Sequence, residues 1–148
     1  MKKAFLLLGI SLAFIACDKD DDNVDVLVGT WYPESIIING ESKPYEGNAN
    51  CGRDYLILSK FHSFEIVDYS NNENAAKTTP VPPCPSQKYY GSYSVVNNEL
   101  KFYGSNFFQG GTIIEKTNSH LQLKRVLDIN GDGKNDEVIE LFYKIVKE

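Results

Sequence analysis

Near the end of the chain, the stretch LDINGDGKNDEV places Asp128, Asn130, Asp132 and Asp136 at relative positions 1, 3, 5 and 9, with Gly133 at position 6. Oxygen-bearing side chains at that spacing converge around a tight turn, and the Lys134 carbonyl can supply position 7. The guest that suits them is calcium, a hard cation that takes about 6 to 8 oxygen ligands. Four acidic or amide groups in one loop repel one another unless a cation lies between them. The competing reading is a solvated Asn-Gly or Asp-Gly hairpin turn. Calcium would stiffen the loop rather than catalyse, since nothing nearby points to hydrolysis.

The remaining reactive side chains are sparse. His62 and His120 fall in or beside short turns, with no second histidine in reach. Glu65, Asp68, Glu115 and Glu140 could pair as acid and base, but carboxylates on strands are usually solvated and face outward. There is no G-x-S-x-G and no glycine-rich phosphate loop after a strand. The sequence therefore names no catalytic residue and points away from an enzyme.

Cysteine chemistry begins at the N-terminus. The chain opens MKK, runs through a largely apolar segment to Ala16 and reaches Cys17, followed by DKDDDN. A basic start, a short apolar run and a small residue before the cysteine make a cleavable signal peptide over residues 1–16. The run is too short for a bilayer that needs about 20 helical residues. The FIAC end resembles a bacterial lipobox, with Phe14 in place of the usual Leu. That implies a diacylglycerol thioether on Cys17 and anchoring in a membrane by more than one acyl chain. Residues 17–25 are then a lipidated acidic tether, self-repelling and solvated.

DKDDDN also resembles the surface-export signal of Bacteroidetes-type lipoproteins, which implies an outer-membrane, cell-surface location. In enteric-type bacteria, Asp after the lipid cysteine resembles a retention signal, which leaves a periplasm-facing anchor as the alternative. In an exported, oxidising setting Cys51 and Cys84 read as a disulfide, with free thiols or a metal pair as alternatives. Closing a loop of some thirty residues contributes roughly 3 to 4 kcal/mol in the chain-entropy model.

Loss of the first 16 residues removes Lys2 and Lys3 and takes the formal charge from −5 to −7. An acidic domain without a basic stripe is a poor partner for a phosphate backbone, so nucleic acid is excluded.

Positioning these groups falls to strands, because no segment beyond the tether sustains a helical period. Runs rich in Tyr, Ile, Val and Phe recur between turn residues at about 29–38, 54–60, 63–70, 88–96, 99–104, 111–117, 119–128 and 136–146. Eight such strands predict an all-β, eight-stranded antiparallel up-and-down barrel over residues 26–148, with a sandwich as the alternative. Long connections (NGESKPYEGNANCGR, NNENAAKTTPVPPCPSQ) alternate with short ones (FH, NN, TNS). In such a barrel the long loops share one rim and the tight hairpins share the other, which puts Cys51 and Cys84 on the same rim.

Two sets of residues then carry a family likeness. Gly29-Thr30-Trp31 within LVGTWYPESI matches the first-strand G-x-W of the lipocalin-like (calycin) family, and Arg125 stands on a late strand. The chain resembles the lipocalin-like domains of small Bacteroidetes lipoproteins over about residues 26 to 147, without a T-D-Y motif or a clear helix after the barrel. The resemblance implies that Arg125 lies over Trp31 near a closed end, and that the tether leaves from that end while the mouth faces away from the membrane. The acidic loop is similar to the D-x-[DN]-x-D-G-x-x-D hairpin loops of FG-GAP and VCBS-type repeats rather than to an EF-hand, which would need Glu where this chain has Ile139.

The functional expectation is non-enzymatic binding of a small apolar or amphipathic ligand at the barrel mouth, where Phe107 and Phe108 are possible contacts. The alternative is a filled barrel acting as a surface interaction protein, contacting a protein or glycan, with a structural calcium loop.

Overall fold

The computed structural model describes residues 24–46, 52–69, 86–106 and 108–145. Nine strands follow a 3-10 turn at Val24–Val26: β1 (Gly29–Ile38), β2 (Glu41–Pro44), β3 (Tyr55–Leu58), β4 (Ser63–Asp68), β5 (Gln87–Val96), β6 (Glu99–Tyr103), β7 (Gly110–Lys116), β8 (His120–Leu127) and β9 (Asp136–Lys144). Every neighbouring pair from β3 to β9 is antiparallel, and β1 pairs with both β3 and β9, which closes an eight-stranded barrel. β2 is the ninth strand and lies outside that ring, on the far half of β1.

β1 therefore has a divided edge. Its first residues pair with β3, Gly29 with Leu58 through Trp31 with Leu56, while Ser35 to Ile38 pair with β2. Its other edge follows β9 from Trp31–Lys144 to Ile38–Val138, with a register shift between Pro33 and Ser35. Proline has no N–H to give the ladder, so a bulge at Pro33 is the expected consequence.

Residues 39–53 were expected as one long loop, and β2 is a departure from that expectation. Asn39 and Gly40 both adopt positive φ, 50° and 87°, which suits a two-residue turn whose twist matches the strands it joins. The chain accordingly folds back at once.

The two barrel ends differ. The tight connections after β3, β5 and β7 lie at one end, together with the N-terminal turn, and this end is packed solid. Leu27, Trp31, Leu58, Leu100, Leu121 and Leu123 are fully or almost fully buried there. Phe64 and Phe102 meet edge to face at 4.8 Å, and the Tyr93 hydroxyl donates to the Ser59 carbonyl at 2.8 Å. Phe61, on the β3–β4 turn, stays 80 % exposed. β1 runs from this filled end to the opposite, open one.

Candidate functional site

Toward the open end the inward side chains become polar or small in number, and a cavity of about 290 Å³ remains. Its apolar wall comes from Ile36 of β1, Leu56 of β3, Ile66 of β4, Phe108 from the β6–β7 connection and Phe142 of β9. Alternation along each strand aims these residues inward. Phe108 is buried, 5.1 Å from the Phe102 ring, so it continues the aromatic core upward as well as lining the cavity.

The polar wall is made by Tyr45, Asp54, Asp68 and Glu140. The Tyr45 hydroxyl donates to one Asp54 oxygen, and the Tyr69 N–H donates to the other at 2.7 Å. Asp68 is buried beside Asp54. Burial pushes the Asp54 carboxyl above its ordinary range, the Tyr45 and Tyr69 hydrogen bonds pull it back, and the charge of Asp68 adds to the rise. The Tyr45 hydroxyl is raised in turn, first by burial and then by Asp54.

Glu140 faces inward from β9, and Arg125 of β8 ion-pairs with its Oε1 at 2.5 Å. Burial raises the Glu140 carboxyl more than the Arg125 charge lowers it. The Arg125 guanidinium lies 4.7 Å from the centre of the Phe108 ring. Arg125 was expected over Trp31, and that expectation is corrected here.

The cation over Trp31 is Lys144, whose Nζ lies 4.6 Å from the ring centre and donates to the Val26 and Val28 carbonyls at 2.9 and 3.1 Å. The register explains the exchange: Lys144 is directly opposite Trp31 on β9, whereas Arg125 pairs with Val138 near the other end of the barrel. Gly29 belongs to the same assembly. Its φ is +140°, and a Cβ there would come within 2.6 Å of the Lys144 Cδ. The Trp31 Nε1 donates to the Leu27 carbonyl at 2.7 Å, which ties the N-terminal turn beneath the barrel.

The acidic loop connects β8 to β9 at the open end. Asp128 accepts from the N–H groups of Gly131 at 2.7 Å, Asp132 at 3.2 Å and Gly133 at 2.8 Å, the last of these being the main reason its carboxyl is held below the usual range. Asn130 and Asp132 are joined to each other on the same turn. Asp136 is buried; it accepts from Asn39 Nδ2 at 2.6 Å, bracing the β1–β2 turn, and from the Ile129 N–H of the loop at 3.4 Å. Among the described residues no three His, Cys, Asp or Glu side chains converge as metal ligands. Of the five residues expected from spacing, Asp128, Asn130, Asp132 and Lys134 lie on the turn, and Asp136 at the start of β9 bridges the loop and the β1–β2 hairpin. Lys134 donates its N–H to Asp132 at 2.8 Å.

His62 stacks edge-on to Tyr93 at 5.4 Å, and His120 is exposed beside Ser119. Glu65 pairs with Lys88 at 3.2 Å, and Glu115 accepts from Gln122. Cys17, Cys51, Cys84 and Phe107 lie outside the described residues. Of the carboxylates singled out in the sequence, the cavity gathers Asp68 and Glu140. Asp54 and Tyr45, which complete its polar wall, had no motif to mark them.

The fold and site can be set against known proteins. The lipocalin-like domain family matches the chain over residues 27–123. A lipocalin-like protein from Bacteroides uniformis shares 14 % identity, with a TM-score of 0.52, covering 81 % of this chain and 99 % of that one. Bovine odorant-binding protein, solved with a selenium-containing odorant, shares 14 % identity with a TM-score of 0.45, covering 85 % of this chain and 74 % of that one. The same bovine protein with its natural ligand gives 13 % identity and a TM-score of 0.45, with 85 % and 76 % covered. No curated protein matches the chain.

Proposed function

The chain belongs to the lipocalin-like domain family, and from that premise we propose that it is a membrane-anchored, non-enzymatic binding protein that holds a small apolar or amphipathic molecule in the open end of its barrel. The observation that carries this reading is the cavity of about 290 Å³ above a solid aromatic core. Small-molecule sites of this kind are concave, mostly apolar and furnished with a few polar groups. At the ~30 Å³ that one water occupies in the liquid, there is room for roughly ten non-hydrogen atoms. The ligand is accordingly small, and the lower barrel contributes stability rather than volume.

Anchoring through Cys17 and an outer-membrane, cell-surface location are part of the proposal. The sequence around the cysteine supports them, and the direction of β1 supports a mouth held away from the lipid. A Cys51–Cys84 disulfide is also proposed, since the segments that hold them both leave the open end. A calcium ion on the β8–β9 loop is proposed with a reduced ligand set, Asp128, Asn130 and Asp132.

One experiment tests these points together: native and intact mass spectrometry of the protein extracted from membranes of its own host without chelator. The expected spectrum shows acyl chains that disappear in Cys17→Ser, one disulfide, and a bound mass of metabolite size. A calcium-sized increment should vanish in Asp132→Ala. A reproducibly ligand-free polypeptide, also when offered apolar small molecules, overturns the binding reading.

A further inference from the structure

The filled end of the barrel carries apolar side chains that the core does not use. Among the described residues the two most exposed large apolar side chains are both there: Phe61 on the β3–β4 turn, 80 % exposed, and Ile145 after β9, 65 % exposed. Val96, at the end of β5, is exposed at the same end. Exposed apolar residues scattered singly need no partner, but three gathered at one end of a barrel ask for one.

Phe61 is held in the solvent by a fixed turn. The Ser59 Oγ accepts from the Phe61 and Ser63 N–H groups at 3.2 and 3.3 Å, and the Ser59 carbonyl accepts from the His62 N–H at 3.1 Å. His62 has a positive φ of 57°, its carbonyl accepts from the Tyr93 N–H at 2.7 Å, and its ring meets Tyr93 edge-on. The turn is thereby fastened to β5. Lys60, next to Phe61, sets its Nζ 5.1 Å from the centre of that ring.

The entering chain indicates what faces this end. The N-terminal turn is tied beneath the barrel by Trp31 and Lys144, and Cys17 precedes Val24 by seven residues, at most about 25 Å of extended chain. The opposite end presents the acidic β8–β9 loop, with Asp128 and Asp132 exposed. Anionic lipid repels such a loop.

We propose that the filled end is a membrane-docking face, with Phe61 dipping into the bilayer that holds the Cys17 acyl chains and the Lys60 ammonium at the level of the lipid phosphates. This rests on the anchoring reading above and adds a contact made by the folded domain itself, which holds the cavity mouth away from the lipid. Apolar side chains leave water at the boundary of headgroups and acyl chains, while a lysine beside them keeps its charge in it.

Acylated protein extracted from membranes and reconstituted in phosphatidylcholine vesicles, with bromine on a part of the acyl chains, tests the contact by fluorescence. Two variants are compared, Phe61→Trp at the filled end and Ile129→Trp on the β8–β9 loop, each after subtraction of the Trp31 emission of the unaltered protein. The emission added by Phe61→Trp should shift to the blue on reconstitution and lose intensity with brominated lipid, and that added by Ile129→Trp should do neither. Quenching absent from both variants, or stronger for Ile129→Trp, in protein that floats with the vesicles overturns the docking face and leaves the anchor standing. In the unacylated Cys17→Ser background without lipid or detergent, blue emission from Phe61→Trp that grows with protein concentration puts a second copy of the chain on this face and overturns the proposal as well. Protein that has no acyl mass on Cys17 and does not float with the vesicles removes both readings.

Discussion

At the residue scale the most informative side chain is Lys144. It crosses Gly29, covers the face of Trp31 and closes the N-terminal turn through two carbonyls. A cation over an aromatic face contributes about 0.5–2 kcal/mol, and charged hydrogen bonds add about 1.5–3 kcal/mol each before solvent screening. Lys144→Met should therefore destabilise the fold by about 1–3 kcal/mol in urea unfolding and shift the fluorescence of Trp31, the only tryptophan. Arg125→Met should leave that emission in place, and a matching spectral shift would return the family arginine to Trp31. The Arg125–Glu140 pair behaves differently, because two charges were desolvated to make it. Removing Glu140 alone strands a guanidinium and should cost about 3 kcal/mol, whereas Arg125→Met with Glu140→Leu should be neutral or stabilising. Glu140 has a raised carboxyl, so its stabilising contribution is complete below the unfolded value of 4.5 and is lost as pH rises through the higher folded value. The double variant should lack that part of the stability–pH curve, and an unchanged curve would exclude Glu140 as its source.

At the element scale, the strands were legible in the sequence because each has alternating apolar residues bounded by turn-formers. The long and short connections also gave their arrangement into two ends. β2 was not legible: Glu41, Ser42, Lys43 and Pro44 are all exposed and carry no alternation, and only the Asn39-Gly40 pair could have announced the hairpin. The site was half legible for a related reason. Acids on strands can be noticed, but whether they face inward depends on register, and the bulge at Pro33 and the closure onto β9 fix that register through partners distant in sequence. The acidic loop shows the limit of spacing arguments most clearly. Its first three groups share a turn as expected, yet Asp136 is taken by Asn39 from the opposite side of the barrel seam. Asn39 in turn accepts from the Glu137 N–H at 2.9 Å and donates its own N–H to the Glu137 carbonyl at 2.9 Å. Asn39→Ala should cost about 1–2 kcal/mol, since it removes the amide's bonds to Asp136 and Glu137 and leaves at positive φ a residue that favours that conformation less than asparagine. Hydrogen exchange should accelerate at Glu137 and along β2, and protection there equal to that of the unaltered protein would show that the clasp is dispensable.

At the scale of the whole molecule, the barrel is an asymmetric vessel. Its filled end holds the entering chain, and its open end holds the cavity and the longer connections. The seam that closes it joins β1 to β9, the first and last of the described strands. That pairing has a kinetic meaning. A folding chain can form the β3–β8 meander from neighbouring segments, but it cannot complete the ring until β9 is in place. Contacts between sequence-distant strands close late and slowly, because the loop entropy must be spent before they form. Until that moment both seam edges present unpaired backbone, and the wall that carries Glu140 and Phe142 does not exist. A complete cavity wall is thus an all-or-none property, acquired only when β9 docks on β1.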